Sequence, residues 1–220
     1  MKLLIVCATR AEFCFLPLEE NKTFYFFKVR DNEVDVLVTG VGMMATAYFL
    51  SEALNNKKYE LVINAGIAGS FKRNLSLGEV VNVTSEMQGD FGAEDDTKFL
   101  DAFDLTLVKP DEFPYTNKKI ISEPLLNSSV LKYIKKVSAI TVNKAHGNEQ
   151  SINTIVLKYN ADVESMEGAA CFFVCAHKKT KCVQIRAISN YIEKRERENW
   201  NIPLAIRNLN SFLEKFINEL

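Results

Sequence analysis

Several features of nucleic-acid-binding, membrane and metal proteins are missing from this 220-residue sequence. Its 27 Lys and Arg residues nearly balance 28 Asp and Glu residues, so electrostatics gives no reason to expect nucleic acid or an anionic membrane as a partner. No stretch approaches the roughly 20 apolar residues that cross a bilayer. Only two histidines occur, without a CxxC or HxxxH pair, and we therefore expect no metal site.

The cysteines also lack the spacing of a disulfide framework. An odd number at irregular intervals, mostly inside apolar runs, is typical of a reducing compartment. Cys171 and Cys175 are four residues apart and His177 follows closely, which makes a metal site conceivable, but buried structural thiols are the better interpretation. The full set is Cys7, Cys14, Cys171, Cys175 and Cys182.

An apolar run, Leu3–Ala8, lies close to the start of the sequence. It is too short for a signal peptide, one lysine precedes it, and the charged residues Arg10 and Glu12 follow at once. The run predicts a first buried strand instead. We expect a cytoplasmic protein.

Short apolar runs rich in Val and Ile alternate with segments whose apolar residues recur at helical spacing. Near-continuous hydrophobicity predicts strands buried on both faces. The alternation predicts one α/β domain over residues 1–220, with a mixed, mostly parallel central sheet flanked by helices. The predicted strands are Leu3–Ala8, Glu33–Thr39, Leu61–Asn64, Glu79–Thr84, Val137–Val142, Asp162–Ser165 and Cys182–Ile188. The predicted helices are Met43–Leu54, Ser128–Lys136, Glu149–Tyr159, Glu167–His177 and Ile202–Leu220.

One stretch, Ser85–Pro114, is polar and irregular. A loop of this length inside a compact domain is usually functional or mobile. We interpret it as a long loop that forms a lid or a contact between subunits.

The segment Val163–Ala170 is the most informative part of the sequence, because it ends a predicted strand and opens an apolar helix with a carboxylate beside a methionine. Buried acids are costly unless they are hydrogen-bonded, and ligands bind at strand ends in α/β sheets. Met166 can lie flat against a sugar while Glu167 accepts hydrogen bonds from two adjacent hydroxyls. The segment therefore suggests a ribose site.

Two glycine-containing stretches also follow predicted strands. Gly40–Gly42 lacks the third glycine and the acidic partner of a dinucleotide fingerprint, so a tight turn is the better interpretation. In Gly66–Ser70, the glycines would let backbone N–H groups approach a ligand closely. By itself this second signal is only suggestive.

Glu12 and Asn190 each admit an ordinary and a functional interpretation. Glu12 is either a surface charge or a general base at the end of the first strand. Asn190 either caps a loop or presents its carboxamide to the O6 and N7 edge of a purine. Glu12, Gly66–Gly69, Met166-Glu167 and Ser189-Asn190 each follow a different predicted strand, so one end of the sheet could gather all four.

Together these stretches resemble the purine nucleosidase and nucleoside phosphorylase superfamily over nearly the whole chain. The markers are Lys2–Glu12, Asn64–Gly69, Ser165–Ala170 and Arg186–Asn190. A closer resemblance, to a hydrolytic branch that cleaves a hypoxanthine nucleoside, rests on Thr141–Glu149, Val163–Ala170, Ala187–Ile192 and Trp200–Asn210.

The resemblance implies roles for individual residues. Glu12 matches the acid that activates the hydrolytic water, Glu167 the carboxylate that binds the ribose hydroxyls, and Met166 the residue that packs on the ribose. Asn190 would stabilise negative charge on the departing purine, and Trp200 falls near an aromatic residue that closes the 5′ side. The other expected substrate-binding residues are Ala8, Ile67, Ala68, Gly69, Ser165 and Ser189.

Departures from the superfamily pattern indicate the reaction. Its phosphorylases hold phosphate with an arginine and a serine, whereas Asn64 and Ile67 stand at those positions here, so water is the expected nucleophile. Related adenine nucleosidases carry an aspartate at the Asn190 position. A carboxamide donates to the O6 and N7 acceptors of a 6-oxopurine, which favours hypoxanthine over adenine. Their adenine-stacking aromatic residue has no clear counterpart in Asn143–His146.

We therefore expect an enzyme that hydrolyses the N-glycosidic bond of a purine nucleoside without a metal or organic cofactor. The resemblance also implies a homo-oligomer, a dimer or larger. Two alternatives stay open. One is a methylthioadenosine/adenosylhomocysteine nucleosidase, and the other is a non-catalytic nucleoside-binding protein, which would not need a water activator such as Glu12.

Overall fold

The computed structural model describes residues 1–14, 22–123 and 128–220, and it confirms an α/β fold with a mixed central sheet flanked by helices. None of the helices within these ranges combines the length and apolar character needed to span a bilayer. The strands are β1 Lys2–Cys7, β2 Phe24–Val29, β3 Asn32–Val38, β4 Leu61–Ser70, β5 Val80–Gln88, β6 Gly92–Asp95, β7 Lys98–Asp101, β8 Ile120–Ile121, β9 Lys135–Thr141, β10 Val163–Ser165 and β11 Cys182–Tyr191. The helices are α1 Met43–Asn56, α2 Ser129–Lys132, α3 Glu149–Tyr159, α4 Gly168–His177 and α5 Ile202–Glu219, with single 3-10 turns at Arg10–Glu12 and Arg197–Asn199.

The central sheet has the order β10-β9-β5-β11-β4-β1-β3-β2, and β8 pairs with β5. β4 runs parallel to β1 and β11, whereas β11 runs antiparallel to β5. β10 also pairs with the end of β4, where Val163 lies opposite Ser70 and Glu164 opposite Gly69. This last pairing closes β4, β11, β5, β9 and β10 into a ring.

Helix α5 covers one face of the sheet, as its sequence pattern predicts. Its buried stripe includes Leu209, Leu213 and Phe216, which pack in one cluster with residues of β1, β4 and β11. Asn201 caps the helix by accepting a hydrogen bond from the Leu204 N–H at 3.2 Å. Helices α1 and α4 pack on a second apolar cluster, so apolar layers enclose the sheet strands between them.

Several sequence-based boundaries are wrong. The predicted loop Ser85–Pro114 instead continues β5 to Gln88 and then forms the β6–β7 hairpin. The polar residues of this stretch predicted an exposed loop, but tertiary contacts bury some of them. The predicted helix Ser128–Lys136 ends at Lys132, since Lys135 begins β9 and pairs with β5. The edge strand β2, which pairs with β3, is absent from the prediction.

Two predicted strands end later than their sequences suggest. β4 continues from Asn64 to Ser70 because β11 and β10 pair with this part of it. β11 continues to Tyr191 across an irregularity in register between Ile188 and Asn190. The Gly66–Gly69 and Ser189-Asn190 stretches therefore lie inside strands rather than after them.

Candidate active site

The Glu12 carboxylate lies buried just after β1, with 6% of the residue exposed. Its Oε2 accepts hydrogen bonds from the N–H groups of Ala8 at 3.0 Å and Thr9 at 2.9 Å, and Oε1 accepts from the Ile67 N–H at 3.2 Å. The 3-10 turn at Arg10–Glu12 folds the side chain back onto these donors. Backbone groups from β4 and from the β1 turn thus fix the carboxylate in one orientation.

Burial raises the pKa of Glu12 above its ordinary value. The Arg186 guanidinium opposes this shift, the neighbouring Glu167 carboxylate adds to it, and the backbone hydrogen bonds oppose it. An acid whose pKa moves up toward the working pH is a better proton acceptor than an ordinary glutamate. The environment of Glu12 is therefore suited to a general base.

Arg186 lies in the middle of β11 and is 1% exposed. Its Nη2 donates to Asn64 Oδ1 at 2.7 Å and lies 3.8 Å from Glu167 Oε2. A Cβ atom at Gly66 would lie 2.1 Å from Arg186 Nη1 and 2.8 Å from Glu12 Oε1. The lack of a side chain at Gly66 therefore leaves room for the Arg186 guanidinium and the Glu12 carboxylate. This space, rather than a close approach of the Gly66 backbone to a ligand, explains the glycine here.

We call Glu12, Arg186 and Glu167 the carboxylate cluster. A buried charge is costly unless it is paired, and here one guanidinium lies beside two carboxylates. No role for Arg186 was predicted from the sequence. The available signal was an arginine inside the apolar run Cys182–Ile188, where a charge is unexpected.

Glu167 lies at the junction between β10 and α4, as predicted. Its Oε1 accepts a hydrogen bond from the Gly42 N–H at 3.1 Å. Gly42 has a φ of +101°, in the region that favours glycine. The Gly40–Gly42 turn thus holds the Glu167 carboxylate, and Met166 lies half-buried beside it.

Asn190 and its neighbours form the other part of the site. Ser189 Oγ lies 2.8 Å from Asn190 Oδ1 and 3.3 Å from the Ala68 carbonyl oxygen, which share its single hydrogen, and Asn190 Nδ2 donates to the Tyr191 carbonyl at 3.0 Å. A Cβ atom at Gly69 would lie 3.2 Å from Asn190 Nδ2. The carboxamide is held by its strand neighbours, and its nitrogen carries a second hydrogen for another acceptor.

Trp200 follows Asn190 at the same end of the sheet. The Asn201 N–H donates to the Ser189 carbonyl at 2.8 Å, which keeps the half-buried Trp200 close to the end of β11. The Arg195 guanidinium lies 5.1 Å from the centre of the Trp200 ring.

The structure gathers the predicted site residues at one end of the sheet, and their roles remain predictions. Ala8 and Ile67 contribute backbone N–H groups that already bind Glu12. The Ser165 hydroxyl is buried and has no hydrogen-bond partner within the described residues. Ser165 ends β10, directly before Met166 and Glu167.

Glu86 is a buried acid that the sequence analysis missed because it falls in the predicted loop. It is fully buried and accepts hydrogen bonds from Gln184 Nε2 at 2.8 Å and Thr141 Oγ1 at 2.9 Å. Burial raises the pKa of Glu86 to about 7, against the effect of these two hydrogen bonds. A Cβ atom at Gly168 would lie 1.9 Å from Glu86 Oε1, so the first residue of α4 must be small.

The sulfur atoms of Cys171, Cys175 and Cys182 lie within 4.8 Å of one another in the apolar cluster beneath α4. Thiolates are ligands for soft metals, so these three side chains could hold an ion. His177, which the sequence places near them, instead contacts the rings of Phe113 and Phe173. All three thiols are buried, as expected for structural cysteines.

Comparison with known proteins agrees with the fold and the predicted superfamily. The family model of the phosphorylase superfamily matches residues 3–218, and the chain belongs to this superfamily. A futalosine hydrolase of Acidothermus cellulolyticus is 29% identical over 182 residues, which cover 80% of this chain and 71% of that protein. A 5'-methylthioadenosine/S-adenosylhomocysteine nucleosidase of Psychromonas ingrahamii is 24% identical over 90% of this chain and 86% of that protein.

A solved structure shows the same fold. The native structure of a futalosine hydrolase of Helicobacter pylori superposes with a TM-score of 0.81, at 18% identity, over 100% of this chain and 98% of that one. At this identity the likeness establishes the fold alone. The chemistry of the site has to be argued from its own side chains.

Proposed function

We propose that this protein hydrolyses the N-glycosidic bond of futalosine, releasing hypoxanthine and dehypoxanthine futalosine. The observation that carries the proposal is the buried Glu12 carboxylate, held by three backbone N–H groups beside the Arg186–Glu167 pair. Relatives named as a futalosine hydrolase and as a nucleosidase support N-glycoside hydrolysis as the reaction class. The resemblance of the Thr141–Glu149 and Val163–Ala170 stretches supports futalosine, and thereby a role in menaquinone biosynthesis by its alternative route.

In this mechanism the two carboxylates have different tasks. Glu167 accepts hydrogen bonds from the ribose hydroxyls and stabilises the positive charge that develops on the sugar, because cleavage passes through an oxocarbenium-like transition state. Glu12 takes a proton from the water that attacks C1′. Asn190 donates to the departing base as negative charge accumulates on it.

Water, rather than phosphate, is the proposed nucleophile, and the burial and contacts of Arg186 support this choice. Arg186 lies within reach of Asn64 and Glu167 and is almost fully buried. The Asn64 amide also donates to the Val6 carbonyl at 3.2 Å, and the Ile67 N–H donates to Glu12. The groups at the phosphorylase phosphate positions are thus engaged within the protein.

The base preference rests on Asn190. Its carboxamide has a hydrogen available for O6 or N7 of a 6-oxopurine, whereas an adenine amino group would meet a donor. A mismatched buried polar group costs about 1–3 kcal/mol, which is enough for roughly tenfold or greater discrimination. A methylthioadenosine/adenosylhomocysteine nucleosidase is the second candidate, because the Psychromonas ingrahamii relative carries that name over most of the chain.

A side-by-side product assay tests the proposal. Futalosine, inosine and methylthioadenosine are incubated with the protein, with and without inorganic phosphate, and the released base is measured. We expect hypoxanthine from futalosine at a rate that does not depend on phosphate, and little adenine from methylthioadenosine. Phosphorolysis, or a preference for methylthioadenosine, would contradict the proposal.

An Asn190→Asp variant sharpens the same assay. A carboxylate accepts from the adenine amino group, so the ratio of methylthioadenosine to futalosine cleavage should rise at least tenfold. Asn56→Asp, at the exposed end of α1, is the control and should leave the ratio unchanged. An unchanged ratio in the Asn190 variant would remove Asn190 from base recognition.

A further inference from the structure

His146 and Glu164 form a buried pair that the mechanism above does not use. Glu164 Oε1 accepts a hydrogen bond from the His146 backbone N–H at 3.0 Å, and Oε2 contacts His146 Nδ1. Their side chains are 9% and 5% exposed. Since a carboxylate can only accept, Nδ1 donates to Glu164, and Nε2 is the ring atom left to exchange a proton elsewhere.

The topology places Glu164 on the same face of the sheet as Asn190, with β4 between their two strands. Glu164 of β10 lies directly opposite Gly69 of β4 in an antiparallel pairing, so its side chain points to the face that a Gly69 side chain would occupy. That face is where Asn190 Nδ2 lies, 3.2 Å from a Cβ atom at Gly69. A Cβ atom at Gly147, the residue after His146, would lie 3.3 Å from Arg195 Cβ.

The reaction needs a proton donor at this place. When the N9–C1′ bond breaks, its electron pair leaves with the purine, which must gain a proton to depart as the neutral base. The Asn190 amide donates a hydrogen bond but does not readily transfer a proton. A histidine does so near neutral pH.

We infer that His146 is the general acid of this site and that Glu164 is its positioning residue, an inference that rests on the proposed function. His146 Nε2 transfers its proton to N7 of the purine while Asn190 donates to O6. Glu12 takes the proton that water releases as its oxygen bonds to C1′. The protons therefore balance, since one is lost from His146 and one is gained by Glu12, and exchange with solvent restores both groups.

A route for that exchange exists next to the ring. His146 forms part of the wall of a cavity of about 680 Å³ between the β6–β7 hairpin and α3. Asp90 and Lys144 line the same cavity, and Asp90 accepts hydrogen bonds from the backbone N–H groups of Asn143 and Lys144. Asp90 thus holds the segment just before His146, and solvent in the cavity can return the proton.

N7-methylated substrates test this role, because a purine already carrying a methyl group and a positive charge at N7 departs without protonation. We expect His146→Gln to lower kcat about 10²–10⁴-fold on futalosine. On N7-methylfutalosine the same variant should stay within about threefold of the wild type. If the wild type prefers the shorter nucleoside, inosine and 7-methylinosine replace the pair.

Two further variants keep the test decisive. His177→Gln changes the other histidine of the chain and should leave both rates unchanged. Glu164→Gln should show the same substrate-selective loss at roughly tenfold, because an amide still accepts a hydrogen bond but holds the ring less firmly.

The outcomes separate the two proposals. Equal losses on both substrates in the His146 and Glu164 variants would assign the pair a structural role, and no loss on either would remove it from the reaction; each result overturns the inference alone. Failure of the wild type to release base from any nucleoside overturns the proposed function and the inference with it.

Discussion

Two regions of the protein lie against the same strands but bury different kinds of side chain. One is the carboxylate cluster, which buries charged groups, and the other is the apolar layer formed by Leu209, Leu213 and Phe216 of α5. Beneath α5, apolar residues of β1, β4 and β11 pack with these side chains in one cluster. Around the candidate site, Glu12 after β1, Glu167 after β10 and Arg186 within β11 are buried instead. One region resembles an ordinary protein core, and the other keeps charges out of water.

The two regions therefore contribute differently to stability. Apolar burial contributes about 25 cal/mol per Å² of area removed from water, so the α5 layer stabilises the fold. Burial of charged groups costs free energy that pairing only partly recovers, and burial raises the pKa of Glu12. Under the proposed function, the carboxylate cluster serves the reaction rather than the stability of the fold. Substitutions in the two regions should separate activity from stability.

The largest expected effect is on activity in the carboxylate cluster. Glu12→Gln should lower kcat about 10³-fold, because an amide cannot take a proton from water. The change in unfolding free energy should be small by comparison. Release of free base and urea unfolding measure the two quantities, and Glu214→Gln, an exposed position on α5, is the control. Activity near the wild-type value would refute the role of Glu12.

The α5 layer should respond in the opposite way. Leu213→Ala removes a fully buried side chain and should lower the unfolding free energy by about 2–5 kcal/mol. In conditions where the variant is folded, kcat should stay near that of the wild type. Leu157→Ala makes the same change on α3 at a residue that is 87% exposed and should cost far less. Equal destabilisation by both variants would contradict the assignment of this layer as core.

A smaller, pH-dependent effect on stability is expected at Glu86, a buried acid that accepts hydrogen bonds from Thr141 and Gln184. Its folded-state pKa of about 7 lies above the ordinary value of 4.5, so the folded state binds the proton more tightly than the unfolded state does. The stability contributed by the protonated carboxyl is present below pH 4.5 and is lost as the pH rises through 7. At 1.36 kcal/mol per unit, this loss amounts to about 3 kcal/mol.

Glu86→Gln removes that titration. The stability of the variant relative to the wild type should therefore increase between pH 5 and pH 8, by up to about 3 kcal/mol in urea unfolding. Glu214→Gln should show no such trend. A difference between Glu86→Gln and the wild type that is constant with pH would show that Glu86 keeps an ordinary pKa.

Much of the fold could be predicted from the sequence because its signals are local. Apolar runs such as Leu61–Asn64 and the helical stripe of Ile202–Leu220 depend on residues close together in the chain. Predictions failed where pairing partners decide the outcome. β4 extends through Gly66–Gly69 because β10 and β11 hydrogen-bond to it. No local sequence pattern predicts this extension.

The candidate site divides in the same way. The sequence pointed to Glu12, Glu167 and Asn190 as residue types in unusual places, and the resemblance to a superfamily supplied their expected roles. Arg186 and Glu86 had no such signal beyond a charge near apolar residues. The pairing of His146 with Glu164 joins residues 18 positions apart, which no helical or strand periodicity connects.

The sequence alone determined the alternation of strands and helices and the presence of a carboxylate beside a methionine at the start of α4. Tertiary structure decided which charges meet. It brought the Glu12 carboxylate to the Ile67 N–H of β4, 55 residues away, and the Glu167 carboxylate to the Gly42 N–H, 125 residues away. Local patterns report which face of an element is buried, whereas the distances between elements depend on how the whole sheet is ordered.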